Sequence, residues 1–251
     1  MSKMLKEIIK TKQGIIHGSK DLALKLHSLK LLPPAKFDTE EMKRLYFILD
    51  NIVAFYPNVD VQKVHQIASD YLIDYCSSFG GEFDLDWVER DVADIHIFRE
   101  VLSITKNNLL CQFDRKIYQQ VRRLAIGVAS SADLANLYGC FFEDRVSVHL
   151  HSDISFYRRY IDDCLSLVYA KDELSVKCLL EDLIIFNNYI IEWSASDSYM
   201  TFLDMTLFFN KDKSLQWQPY RKPLNHFEHI PWISVYPIYM KKETFLSEWS
   251  Q

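Results

Sequence analysis

Glycine and proline are scarce. The chain of 251 residues holds 6 Gly and 7 Pro, which excludes collagen-like repeats and Pro/Gly-rich low-complexity segments. The one Gly pair, Gly80-Gly81, has neither a GxGxxG nor a GxxxxGK setting, so a dinucleotide fold and a phosphate loop are excluded. Cysteine is sparse and odd in number: Cys76, Cys111, Cys140, Cys164 and Cys178, with no CxxC pair. That excludes a disulfide framework and a structural zinc site, and predicts buried free thiols in a reducing compartment. No uncharged apolar run approaches the roughly 18 residues that span a bilayer. The opening MSKMLKEIIKTKQG is broken by charge and lacks the apolar centre of a signal peptide. The expectation is a soluble, intracellular protein without a membrane partner, with neither nucleus nor cytoplasm indicated. Positive charge is in deficit as well. Lys and Arg number 29 against 34 Asp and Glu, a formal net charge of −5, so a uniformly basic nucleic-acid coat is excluded and a local basic groove is not.

Apolar side chains are plentiful. Hydrophobic residues make up 49% and aromatics 14%, enough for one large core or two smaller ones. Asp38 or Thr39 ahead of Glu40 and Glu41 is a helix-start signature, predicting a helix over 38–49. Residues 49–56 then read as a buried strand stopped by Pro57-Asn58. Helical spacing recurs over 59–79 (Val61, Val64, Ile67, Ala68, Tyr71, Leu72, Tyr75) and over 86–108 (Val88, Val92, Ile95, Phe98, Val101, Leu102). LLCQFDRKIYQQ reads as a hairpin turning at Asp114-Arg115-Lys116. A helix follows over 130–146 with Ser130, Ser131 or Asp133 as cap. FYRRYIDDCLSLVYA reads as two strands hinged at its acidic pair, and a helix over 171–189 precedes a run of strands. This order predicts an α+β fold, an antiparallel sheet with helices packed on one face.

The chemistry concentrates at Asp162-Asp163. Two adjacent carboxylates inside an apolar hairpin repel unless a cation lies beside them. A hard divalent ion such as Mg²⁺ suits oxygen ligands, and a pair of such ions clamps the attacking and leaving oxygens in phosphoryl transfer. Three basic pairs, Arg122-Arg123, Arg158-Arg159 and Arg221-Lys222, read either as solvated strand ends or as contacts to phosphates along one groove.

FYRRYIDDCLSLVYA resembles the YxDD hairpin of reverse transcriptases. QQVRRLAIGVASSADLANLYGCFFE resembles the family's preceding motif, with Gly127, then Ala135, Asn136 and Leu137, and Glu143 near the helix end. MTFLDMTLFF resembles the FLD strand after the catalytic hairpin, and QPYRKPLNHFEHIPWISVYP the segment near the primer grip. The combination is similar to the Penelope-like branch of retroelement reverse transcriptases and runs over about 45–245. The resemblance implies a polymerase palm over 46–215, a short N-terminal stub over 1–45, and a primer-grip-like segment over 216–251 that begins a truncated thumb. It implies template-directed transfer of nucleotides from dNTPs to a primer 3′-hydroxyl, with two Mg²⁺ ions, Mn²⁺ being a possible substitute. The partners implied are a primer–template of RNA or DNA, with a second chain as a possible source of fingers and thumb. Asp162, Asp163 and Asp50 would be catalytic and hold the metals. Asn51, Phe55, Tyr56, Gln120 and Gly127 would line the nucleotide. Arg122, Arg123, Tyr220, Arg221 and Lys222 would touch primer and template.

One departure from the family stands out. The third carboxylate should precede an aromatic residue by five positions. Counting back from Tyr56 reaches Asn51; counting back from Phe55 reaches Asp50. The two choices differ by one residue and therefore by a face of the strand. With Asn51 in the metal position, the alternative function is a catalytically inactive palm that binds nucleic acid or a partner, or one half of a split polymerase.

Overall fold

A computed structural model describes residues 2–29, 44–78, 92–107, 109–120, 122–125, 127–146, 153–183, 189–210, 214–221, 237–239 and 242. The chain divides into two units, Met1–Gln218 and Pro219–Gln251. In the first unit, α1 (Ser2–Lys10) and α2 (Ser19–His27) precede the strand β1 (Arg44–Ile52). A short helix α3 (Phe55–Asn58) leads to α4 (Val61–Ser78) and α5 (Val92–Asn107). The hairpin β2 (Leu110–Phe113) and β3 (Lys116–Gln119) comes before α6 (Ser131–Val146), which is followed by β4 (Ile154–Tyr160) and β5 (Asp163–Ala170). Then come α7 (Glu173–Leu183), β6 (Ile191–Ser196), β7 (Tyr199–Phe202) and β8 (Met205–Phe209), and β9 (Leu215–Pro219) runs up to the boundary between the units.

The main sheet has the order β4-β5-β1-β6, and each neighbouring pair is antiparallel. β1 lies between two strands and buries side chains on both faces, so LYFIL runs apolar without alternation. That corrects the helix expected over 38–49: 44–49 belong to the strand, and 38–43 lie outside the described residues. A cap signature is local and weak, and the pairing of a nearly continuous apolar run on both edges overrides it. The expected strand also ends early. Ala54 takes a left-handed φ of 53° and turns the chain into α3, where Pro57 sits harmlessly in the first turn.

One face of the sheet carries α1, α4, α5 and α6 through a core holding Ile52, Val64, Phe98, Leu137, Tyr157 and Cys164. On the same face α7 covers Tyr46, Ile48 and Val168 with Val176. The other face holds Phe47, Leu165 and Leu167 under α2 and the β7–β8 hairpin, through Leu22, Leu26, Phe202 and Leu207. Burial of these side chains contributes roughly 1.5–3 kcal/mol apiece before the entropy of ordering is subtracted. The outer edge of β4 is also occupied. The Arg159 amide donates to the Gly14 carbonyl (2.7 Å), and the Ile16 amide to the Arg159 carbonyl (3.0 Å). The fold is α+β. Two of the five thiols, Cys140 and Cys164, are buried as expected; Cys76 is half-buried, and Cys111 and Cys178 are exposed.

Candidate functional site

The acidic pair lies at the tip of the β4–β5 hairpin. Tyr160 pairs with Asp163, which leaves Ile161 and Asp162 as a two-residue turn. Ile161 takes a left-handed φ of 57°, a costly conformation for a β-branched residue. Its partner in holding that shape is Arg159. The guanidinium donates to the Ile161 carbonyl (2.9 Å), to the Asn136 side chain (3.0 Å) and to the Asn136 carbonyl (2.9 Å). It also forms an ion pair with Glu143, which accepts a further hydrogen bond from the Tyr157 hydroxyl (2.8 Å). Burial alone would lower the basicity of Arg159, but Glu143 beside it reverses the sign and holds it protonated.

Neither reading of the Arg158-Arg159 pair as solvated or phosphate-bound fits Arg159, which is fully buried. The two arginines alternate across the strand. Arg158 lies over the Phe156 ring at 4.7 Å on one face, and Arg159 enters the helix layer on the other. The sequence signal for this network is present in α6: Asn136, Gly139, Cys140 and Glu143 recur at helical spacing and line up along one stripe.

The register of β1 decides the third ligand position. Asn51 pairs with Asp163, and Asp50 pairs with Cys164. The Asn51 amide nitrogen donates to Asp163 Oδ1 at 2.6 Å. The Ile52 amide donates to the Asp162 carbonyl (2.9 Å), so β1 is latched to the turn itself. Asp50 lies on the helix-side face, flanked by Cys164 and Trp193. Burial raises its carboxyl to about 7. The expectation that Asp50 joins Asp162 and Asp163 is therefore corrected. No bulge interrupts this stretch of the ladder, and alternation sends Asp50 away from them.

The aromatic positions agree with that register. Tyr56 lies close enough to Asp162, Tyr160 and Asp133 for their charges to add to burial in raising its hydroxyl pKa. Phe55 is buried instead, its ring 6.4 Å from Tyr138 and 5.8 Å from Tyr189. Asp162 itself is raised by burial and by Asp163, with Arg159 opposing. The donor set facing the turn is thus two carboxylates and one carboxamide. It does not fit a two-Mg²⁺ centre built on three carboxylates, because the Asn51 amide already satisfies an oxygen of Asp163 without a cation. Among the described residues no three His, Cys, Asp or Glu side chains converge as a metal site.

Gln120, Arg122 and Arg123 lie together, ahead of α6. The Gln120 side chain donates to the carbonyls of Arg122 (3.2 Å) and Arg123 (3.3 Å), and both arginines are exposed. With Val61, His65, Ser130 and Leu134 they line a small cavity of about 20 Å³. Gly127 has a φ of +92°, and nothing approaches within 4 Å of where a Cβ would stand. Backbone geometry thus accounts for glycine there. Tyr220 and Arg221 belong to the second unit, and Lys222 lies outside the described residues. No helix among the described residues is long and apolar enough to cross a membrane.

No protein-family model matches the chain, and no curated protein matches it. Solved structures do. An apo telomerase from Candida tropicalis, truncated from its C-terminal domain, aligns at a TM-score of 0.60 and 12% identity, over 86% of this chain and 43% of that one. A Candida albicans telomerase in complex with a fragment of telomeric RNA aligns at 0.57 and 13%, over 85% and 37%. The RNA-dependent RNA polymerase of BmCPV aligns at 0.52 and 11%, over 89% and 21%. The likeness shows a polymerase palm-like fold. This chain spans less than half the length of each of these structures.

Proposed function

We propose that this protein is a reverse-transcriptase-like palm, of the Penelope-like pattern, that engages primer–template nucleic acid inside the cell but is disabled for two-metal nucleotidyl transfer. The observation that carries this is the Asn51 amide in contact with Asp163, with Asp50 turned to the opposite face. A neutral amide relieves the repulsion that a bound cation would otherwise relieve. The palm fold and the RNA partners of the telomerase neighbour support the nucleic-acid part of the reading. In this reading Tyr56, Gln120 and Gly127 serve the incoming nucleotide. Arg122, Arg123, Tyr220, Arg221 and Lys222 contact the primer and template.

A second reading is active template-directed transfer from dNTPs, with further polymerase parts supplied in cis or by a second chain. It is favoured by one feature: Asp162 and Asp163 remain paired at a turn that also brings in Tyr56 and Tyr160. When bound, Mg²⁺ or Mn²⁺ would supply charge neutralisation at the reacting phosphate.

Two measurements separate the readings. Fluorescence anisotropy follows binding of a labelled primer–template to the wild type. Primer extension with Mg²⁺ or Mn²⁺ and dNTPs is run on the wild type, on Asn51→Asp and on Asp162→Asn/Asp163→Asn. Binding without wild-type extension is expected. Extension by the wild type that the double variant lacks would establish the second reading, and a folded wild type that does not bind would overturn both.

A further inference from the structure

The β2–β3 hairpin exposes every residue of both strands. Phe113 is 75% exposed, Ile117 72%, Leu110 67% and Tyr118 46%. A two-stranded ribbon is marginal on its own in water, and contiguous exposed apolar surface marks a site of interaction. The ribbon is nevertheless well specified. Asp114 and Arg115 both take positive φ, 47° and 60°, the turn that suits a two-residue hairpin loop. The Gln120 amide closes its base on the Leu109 carbonyl at 2.8 Å.

The register sorts the side chains. Cys111 pairs with Tyr118 and Phe113 with Lys116, so these four share one face. Leu110, Gln112, Ile117 and Gln119 share the other. The first face offers two rings, set diagonally across the two strands, with the Lys116 ammonium opposite Phe113. Charge around it runs against the composition of the whole chain: from 109 to 125 the charged residues are Arg115, Lys116, Arg122 and Arg123, against Asp114 alone, in a protein of net charge −5. Arg122 and Arg123 lie at the base of the ribbon, their carbonyls both tied to Gln120.

We propose that the Phe113–Tyr118 face is a stacking platform for a single strand of nucleic acid, whose phosphates are taken by Arg122 and Arg123. This rests on the nucleic-acid reading above and adds where an unpaired strand runs. Rings on an open ribbon face need bases whose own faces are free, as in a single strand, whereas a duplex hides them in its stack. Cations beside the rings complement the backbone such a strand carries.

The test titrates the full chain with a fluorescein-labelled, mixed-sequence 12-nucleotide RNA, and with its DNA equivalent, over a series of salt concentrations. Phe113→Ala/Tyr118→Ala is expected to weaken binding by roughly tenfold per ring and to leave the salt slope unchanged. Arg122→Ala/Arg123→Ala is expected to flatten the salt slope by about 1.4, at about 0.7 for each phosphate of a single strand that is no longer neutralised. Leu110→Ser/Ile117→Ser, on the opposite face, should bind as the wild type does. Phe113→Trp should retain affinity, and its fluorescence should be quenched by the oligonucleotide. Unchanged affinity in the aromatic double variant, with the wild type binding the same oligonucleotide, overturns the platform and leaves the proposed function standing. An equal loss in Leu110→Ser/Ile117→Ser points to a protein-contact or structural ribbon and overturns it too. A folded wild type that binds neither single strand nor primer–template overturns both proposals together.

Discussion

Arg159 of the acidic hairpin and Glu143 of α6 form an ion pair sealed from solvent, with side-chain exposures of 0% and 1%. The same guanidinium holds the carbonyl of Ile161, the residue just before Asp162. A single buried cation thus joins the helix layer to the conformation of the acidic turn. Removing one partner leaves the other charged and unpaired in the core, at a cost of about 3–5 kcal/mol. Arg159→Met and Glu143→Gln should each show a loss of that order in urea unfolding. Arg159→Met/Glu143→Leu should recover much of it. Gly139→Ala tests the same place sterically, since a Cβ there would run into the Arg159 guanidinium. It should destabilise the protein although alanine favours helix elsewhere.

Asn51→Asp places a third carboxylate against Asp163 and removes an amide donor. Loss of a hydrogen bond to a charged group costs about 1.5–3 kcal/mol, and the new repulsion adds to that. In EDTA the variant should therefore unfold at lower urea than the wild type. Added Mn²⁺ should restore it while leaving the wild type unmoved. A wild type stabilised by Mn²⁺ as strongly as the variant would contradict the role given to Asn51.

The half-buried carboxyl of Asp50, raised to about 7 by desolvation, ties stability to pH. The folded state holds the proton more tightly than the unfolded chain does. Its contribution is therefore fully present below the unfolded value near 3.8, and declines as pH rises to about 7. Asp50→Asn removes this dependence. The variant should gain on the wild type by an amount on the order of a few kcal/mol between pH 5 and pH 8, read from unfolding midpoints across that range.

Gly127→Ala should destabilise by about 1–2 kcal/mol, since a φ of +92° is strained for any residue with a Cβ. Because the space around it is open, Gly127→Ser should cost about the same as Gly127→Ala. A steep rise with side-chain size in urea unfolding would instead mean that the position is crowded.

The elements were largely legible in the sequence. The spacing of Val64, Ile67, Ala68 and Leu72 marked α4, and the polar stretch Asp114-Arg115-Lys116 marked the β2–β3 hairpin, although Lys116 belongs to β3, because amphipathic period and turn chemistry are local properties. The acidic hairpin was legible for the same reason: two carboxylates inside apolar strands stand out wherever they fold. β1 was not legible at its start, where a helix signature lost to pairing with β5, joined from Phe47 onward by β6 on the other edge.

The sequence alone determined which residues compete for the third ligand position, Asp50 and Asn51, and left the choice open. Tertiary structure decided it, because a strand's faces acquire meaning only when a partner sets the register, and β5 places Asn51 opposite Asp163. The fate of Arg159 was decided the same way. Adjacent arginines look equivalent in a sequence, but alternation sends one over Phe156 and the other through the sheet to Glu143, a partner that only the packing of α6 brings near.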